Sequence, residues 1–172
     1  MIDDGSFAAL VREEHRGVVA ASMMIIGNAA LAEEIVQDVF ERTFIRWSKV
    51  SKMDRPGAWV RRAVINQSIS VVRRSNSERR AVATLSAQPD GPNPHDAFHD
   101  SQSLTGIGRE LWKAVGELPD NQARAVALHY GADLSIATVG LEMDLSESAV
   151  KTLLYRARCT LRDHATVKEI HQ

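Results

Sequence analysis

The side chains that could do chemistry divide into a set poorly arranged for catalysis and a set well arranged for binding a polyanion. His15, His95, His99, His129, His164 and His171 never pair at metal-ligand spacing on a helix; His95 and His99 stand with Asp96 and Asp100 in a proline-rich stretch and read as a surface cluster rather than a zinc site. Glu13-Glu14 and Glu33-Glu34 are adjacent pairs, and sequence neighbours on a helix do not face each other, so neither is an acid/base dyad. No glycine-rich phosphate loop occurs, and the lone Cys159 falls on or near the packed side of a helix rather than where a nucleophile would stand. No catalytic residue, metal or cofactor is expected, and the chain reads as a binding protein rather than an enzyme.

The cations are placed for such binding. Residues 52–80 hold 8 Lys or Arg against 2 Asp or Glu, and Lys151, Arg156, Arg158 and Arg162 gather in a second patch. Residues 1–50 hold 5 basic and 8 acidic groups, and residues 81–120 hold 2 and 6. The net charge of −1 is therefore an average, and it does not exclude a nucleic-acid partner. A helix carrying short polar side chains with Lys or Arg fits the major groove, with outer arginines fixing register on phosphates. Asn66, Gln67, Ser68 and Ser70 make the first patch polar as well as basic, suited to a backbone and to bases in an opened strand. Trp59 reads as core, or as a stacking platform if it faces outward, and the loop from Val50 to Arg55 is the place to look for a flipped-base pocket.

A chain of 172 residues with 44% apolar and 25% charged residues is globular, large enough for one ordinary domain or two small ones. One cysteine argues against a disulfide framework and for a reducing compartment or a chain that simply does not use thiols. The start Met1-Ile2-Asp3-Asp4 is acidic and no 18 apolar residues follow one another, so a cytoplasmic location without membrane insertion is expected.

The elements that must position these residues are helical, and the fold class is all-α. Phe7, Leu10, Val11, Val18 and Val19 space the inner face of a first helix that runs to Ile25 and Ile26 and stops at Gly27-Asn28. Ala32, Ile35, Val36, Val39, Phe40, Thr43, Phe44 and Trp47 give a second helix one apolar face, leaving Glu33, Glu34, Gln37, Asp38, Glu41 and Arg42 on an acidic opposite face. Pro56 starts a third, with Trp59, Val60, Ala63, Val64, Ile69 and Val71, ending at Arg73-Arg74. Three prolines and a glycine within Pro89–Pro94 place an acidic linker at about 81–106, between a front unit over 1–80 and a back unit over 107–168. In the back unit Leu111, Trp112, Val115 and Leu118 predict a short helix closed by Pro119, and Asp120 predicts the cap of a helix burying Ala123, Val126, Ala127 and Tyr130 up to Gly131. Ser135 caps a short helix from Ile136 to Leu141, and Ser146 caps a longer one burying Ala149, Val150, Leu153, Leu154, Ala157 and Leu161. Short helix, turn and longer basic helix make a helix-turn-helix, whose outer face carries Ser148, Lys151, Thr152, Tyr155 and Arg156, with Arg158 and Arg162 farther along.

These stretches resemble a known family. Ala32-Glu33-Glu34-Ile35-Val36-Gln37-Asp38-Val39-Phe40, then Pro56-Gly57-Ala58-Trp59-Val60-Arg61-Arg62-Ala63-Val64-Ile65-Asn66 through Arg73-Arg74, resemble regions 2.2 to 2.4 of the short, two-domain extracytoplasmic-function (ECF) sigma factors of bacterial RNA polymerase, in the sigma-70 family. Leu118-Pro119-Asp120-Asn121-Gln122-Ala123-Arg124 and the run from Ser146 to Arg158 resemble their region 4, and within the class the chain is similar to the actinobacterial SigE-like branch.

The resemblance implies a region 2 helical bundle and a region 4 helix-turn-helix joined by a flexible linker, a role in promoter recognition and transcription initiation, and core RNA polymerase, promoter DNA and an anti-sigma factor as partners. It implies that Glu33, Glu34, Gln37, Asp38 and Glu41 dock on polymerase. Arg55, Trp59, Arg61, Arg62, Asn66, Ser70, Arg73 and Arg74 would meet the minus-ten element, and Ser148, Lys151, Thr152, Tyr155, Arg156, Arg158 and Arg162 the minus-thirty-five element. The sequence departs from the pattern at Ser70, where an Asp is common, at Thr138 and Gly140, where Glu and Ala are usual, and at Asp144, which stands for a usual Gly. Gly140 inside so short a helix implies close packing against the last helix. The residues alone also allow a stand-alone helix-turn-helix regulator whose front domain binds a ligand or dimerises.

Overall fold

The computed structural model describes residues 4–85 and 114–163, and every regular element among them is helical. The proposed linker beyond Leu85, Ile107, Leu111, Trp112, His95, His99, His164 and His171 lie outside the described residues.

Helix α1, Asp4–Ile26, buries Leu10, Val18, Ala21, Ile25 and Ile26, and ends at Gly27 as the sequence predicts. Asn28 begins the next helix by accepting the Leu31 N–H on Oδ1 at 3.0 Å, which satisfies one of the donors a helix start leaves open. Helix α2, Ala29–Ile45, buries Ala32, Ile35, Val36, Val39, Phe40 and Thr43. It does not continue smoothly to Trp47: the Arg46 N–H reaches both Arg42 O and Thr43 O, and a separate turn, α3, Trp47–Val50, follows. Trp47 nonetheless enters the core, four residues after the buried Thr43, with its Nε1–H donating to Ser6 Oγ at 3.1 Å. Phe44, expected inward, is 38% exposed, although its ring still touches that of Phe7.

Helix α4, Pro56–Leu85, runs past Arg74, where the sequence reading stopped it. No Gly or Pro interrupts residues 75–85, and Arg74 Nε meets Glu78 Oε1 at 2.9 Å in the i, i+4 register that supports an exposed helix. Deeper in, the Ser22 hydroxyl donates to Ser68 Oγ (2.9 Å), which donates to Val64 O (2.9 Å), so a buried polar pair ties α1 to α4.

In the back unit residues 114–116 are helical, Val115 and Leu118 are buried, and α5, Asp120–Val126, follows. Asp120 is its first helical residue rather than its cap; Pro119 holds the cap position. The helix then widens into one π turn, Ala127–Gly131, where the Ala132 N–H bonds Ala127 O at 2.9 Å. The extra residue in that turn rotates Tyr130, expected inward, to 47% exposure and brings Gly131 onto α1. A Cβ on Gly131 would lie 2.5 Å from Ala21 Cα and 2.9 Å from Ala21 N, so only glycine allows this approach. Helices α6, Ile136–Met143, and α7, Glu147–Asp163, complete the fold.

Helix α1 packs against α2, α4 and the π turn. Both helical units foreseen in the sequence are present, and their apolar interiors meet in one continuous core from Leu10 to Ala157.

Candidate nucleic-acid interface

The helix-turn-helix forms where its caps predict it. Ser135 Oγ accepts the Thr138 N–H at 3.1 Å to start α6, and Ser146 Oγ accepts the Ala149 N–H at 3.2 Å to start α7. Between them Asp144 closes α6 in the left-handed region (φ 57, ψ 47), the position the usual glycine would fill without strain. Gly140 is required less by the last helix than by the turn. A Cβ there would stand 2.7 Å from Leu145 O, whereas Val150 Cγ2 is 3.8 Å away, and the Leu145 N–H bonds Gly140 O at 2.9 Å. On α7, Val150, Leu154 and Ala157 are buried, Leu153 and Leu161 pack beside them, and Ser148, Lys151, Thr152, Tyr155, Arg156, Arg158 and Arg162 are all exposed. All seven thus share an open surface of one capped, basic helix. Cys159 is half-buried.

On α4 the helical repeat carries Arg62, Asn66, Ser70, Arg73 and Arg74 to an exposed stripe, with Arg55 exposed just before the helix and Trp59 half-buried against the core. The Ser70 hydroxyl donates back to Asn66 O at 2.8 Å. The loop before α4 borders a cavity of about 980 Å³ lined by Trp47, Ser51, Lys52, Arg55, Leu10 and Glu14, at the place the sequence singled out.

Arg61 is the exception on this helix. Its side chain is 14% exposed, and its guanidinium joins Glu14 of α1 to Glu142 of α6. Nη1 donates to both Glu14 oxygens at 2.5 Å; Nε donates to Glu142 Oε1 at 2.7 Å and Nη2 donates to the same oxygen. Burial acts to lower the Arg61 pKa, but the hydrogen bonds from Glu142 and Glu14 and their charges outweigh it and raise the value above its ordinary range. Gly57, one turn earlier, leaves the space that the Glu14 carboxylate fills. Two more contacts reach α4 from α5: Arg124 Nη2 donates to Asn66 Oδ1 at 2.6 Å, and Arg73 Nη2 pairs with Asp120 Oδ1 at 2.5 Å. Sequence reasoning missed Glu14, Glu142, Arg124 and Asp120 in these roles. A single charged residue in the apolar run Ile136–Met143 was the available signal for Glu142.

On α2, Glu34, Gln37, Asp38 and Glu41 are exposed and Glu33 is half-buried with Oε2 3.4 Å from His15 Nε2. Asp38 lies 3.8 Å from Arg42 and 3.5 Å from Gln67 Nε2, which ties the acidic face to α4.

Comparison with known proteins matches sigma-70 region 2 to residues 10–78 and sigma-70 region 4 to residues 108–161. The ECF RNA polymerase sigma factor SigE of Mycolicibacterium smegmatis is 28% identical over 92% of this chain and 61% of that protein. The ECF RNA polymerase sigma factor SigW of Bacillus subtilis is 24% identical over 93% of this chain and 89% of its own length. Among solved structures, the sigma factor RpoE in its complex with the anti-sigma factor NepR from Bartonella quintana superposes with a TM-score of 0.61 at 16% identity, covering 95% of this chain and 97% of that one, a likeness of fold. With the two region matches falling in order on the two helical units and together spanning more than two thirds of the sequence, the chain belongs to the sigma-70 family of sigma factors, which are not enzymes but bind RNA polymerase to direct transcription initiation.

Proposed function

We propose that this chain is a promoter-specificity subunit of the ECF class, with a region 2 domain whose last helix, α4, runs to Leu85, a linker from there to 106 and a region 4 domain over 107–168. The acidic face of α2, with Glu33, Glu34, Gln37, Asp38 and Glu41, docks on core RNA polymerase. Helix α4 and the loop before it recognise and open the minus-ten element, and α7 reads the minus-thirty-five element in the major groove. The observation that carries the reading is α7, a capped helix whose outer face holds Lys151, Arg156, Arg158 and Arg162 with Ser148, Thr152 and Tyr155, all exposed.

The factor acts by binding energy alone, exchanging contacts with polymerase and DNA for strand opening. A cytoplasmic location and control by an anti-sigma protein follow from that role; no helix among the described residues is long and apolar enough to cross a membrane. Within the class, the reading of the actinobacterial SigE-like branch draws on the 28% identity to the Mycolicibacterium smegmatis SigE, while alignment span does not separate that relative from Bacillus subtilis SigW, which matches over 93% of the chain.

Run-off transcription with core polymerase and a promoter library tests the assignment. Specific initiation only when the chain is added supports it. Sequence-specific operator binding without polymerase, and no initiation, would establish the stand-alone regulator instead.

A further inference from the structure

We propose that Arg42 and Gln67 are positioning residues that hold the polymerase-facing stripe of α2 at a fixed angle to the minus-ten stripe of α4, so that docking aims the DNA-reading helix. The inference rests on the functional reading of those two helices. Asp38 stands in the exposed row of Glu34, Gln37, Asp38 and Glu41, and Gln67 is the half-buried neighbour of Asn66, three residues before Ser70. A closed polar ring joins the two rows. Arg42 Nε donates to Asp38 O at 3.1 Å and its Nη2 to Gln67 Oε1; Gln67 Nε2 donates to Asp38 Oδ2 at 3.5 Å, and Arg42 Nη2 lies 3.8 Å from the same carboxylate oxygen.

The residue types suit this task. An amide at position 67 offers an acceptor to a guanidinium and a donor to a carboxylate at once, where a carboxylate would repel Asp38 and an ammonium would repel Arg42. Arg42, the cation on the acidic face, is drawn along the seam toward α4, which leaves Glu34 and Glu41 to meet a basic partner. Helices α2 and α4 also pack through apolar side chains, but such contact is non-directional and resists separation more than sliding. The ring supplies the direction. Asp38 and Arg42 are each about half exposed, so the ring adds little to stability and its use lies in geometry. Reading bases in an opened strand needs side chains held within about 0.5 Å of their working position. Polymerase binding by α2 alone, or duplex binding by α7, makes no such demand on the angle between α2 and α4.

A side-chain swap tests this, read by permanganate footprinting of minus-ten thymines in the complex of the full chain, core polymerase and a promoter selected from a library. Arg42→Ala and Gln67→Ala are each expected to lower the equilibrium constant for opening about threefold, the size of one exposed charged contact. Affinity for core polymerase, measured by fluorescence anisotropy, and the melting temperature stay close to those of the unmodified chain. Gln67→Arg alone sets two guanidiniums against each other and lowers opening as well; combined with Arg42→Gln it returns one guanidinium and one amide to Asp38, and opening recovers. The double-mutant cycle cancels any contact the new arginine makes with DNA by itself. Unchanged opening in Arg42→Ala overturns the proposal, and if Gln67→Ala still loses opening, Gln67 is a direct DNA contact instead. Parallel loss of polymerase affinity, or no recovery in the swap, also overturns it. Failure of the functional reading looks different: the unmodified chain itself then opens no promoter with polymerase, whereas normal opening by the unmodified chain and all variants overturns the positioning role alone.

Discussion

Arg61 and Glu142 are separated by 81 positions, yet Arg61 Nε donates to Glu142 Oε1 at 2.7 Å with both side chains largely withdrawn from water. The bond joins the second turn of α4 to α6, and Glu14 completes the charge cluster from α1. Removing the cation and removing one anion should therefore have unequal consequences. Arg61→Met leaves two buried carboxylates facing each other and is expected to cost about 3–5 kcal/mol. Glu142→Gln keeps an acceptor for the guanidinium and deletes the surplus charge, so a cost of about 1–2 kcal/mol is expected. Urea unfolding followed by circular dichroism measures both; equal losses would show that the cluster acts as packing and not as charge.

Glu41 is the better probe of the acidic face of α2. Asp38 approaches Arg42 and Gln67, so its reversal would also disturb the junction with α4. Glu41→Lys should lower the affinity for core polymerase about tenfold or more by placing like charge against a complementary basic surface. Duplex binding by the back unit should be unchanged. Parallel loss of both, read by fluorescence anisotropy, would reject the division of labour between α2 and α7.

Lys151 and Arg162 occupy the same helix at different distances from its start, and the variants should separate base reading from phosphate contact. Lys151→Ala is expected to relax discrimination at one position of the minus-thirty-five element by about 1–3 kcal/mol. Arg162→Ala should weaken all sequences alike and reduce the slope of log affinity against log salt by about one. Competition titrations at several salt concentrations distinguish these patterns.

Asp144 and Gly140 make opposite predictions within one turn. Asp144→Gly removes left-handed strain at the end of α6 and should stabilise the chain by about 1 kcal/mol. Gly140→Ala forces the Leu145 carbonyl to move and should destabilise by about 1–3 kcal/mol. Thermal melts of the two variants should shift in opposite directions.

What the sequence reveals of this fold is whatever local rules decide. The caps Ser135 and Ser146 lie beside the helices they start, and the three-and-four spacing of Val150, Leu154 and Ala157 fixes which face of α7 turns outward. The errors arise at the border of a buried stripe and where the helical phase slips. Phe44 stands at the border of the buried stripe of α2 and stays exposed, and the π turn turns Tyr130 outward; neither outcome can be read from apolar spacing alone. The apolar spacing also ended α4 too early, at Arg73-Arg74, although no Gly or Pro enforces a stop there. The charge cluster at Arg61 was illegible for a stronger reason. Glu14, Arg61 and Glu142 carry no shared motif, and Glu14 looked like half of an acidic pair until α1 turned it inward and left Glu13 at the surface.

The meeting of Gly131 with Ala21 also bears on how this protein would look to mutational scanning. The contact is backbone against backbone, so there is no side chain for alanine replacement to trim, and a conventional scan of Ala21 would replace alanine with itself. A survey based on deletion of atoms would score this seam as silent, while one based on added bulk would find it among the most sensitive places in the chain. Tolerance to shrinkage combined with intolerance to growth is the signature to seek along α1 and the π turn.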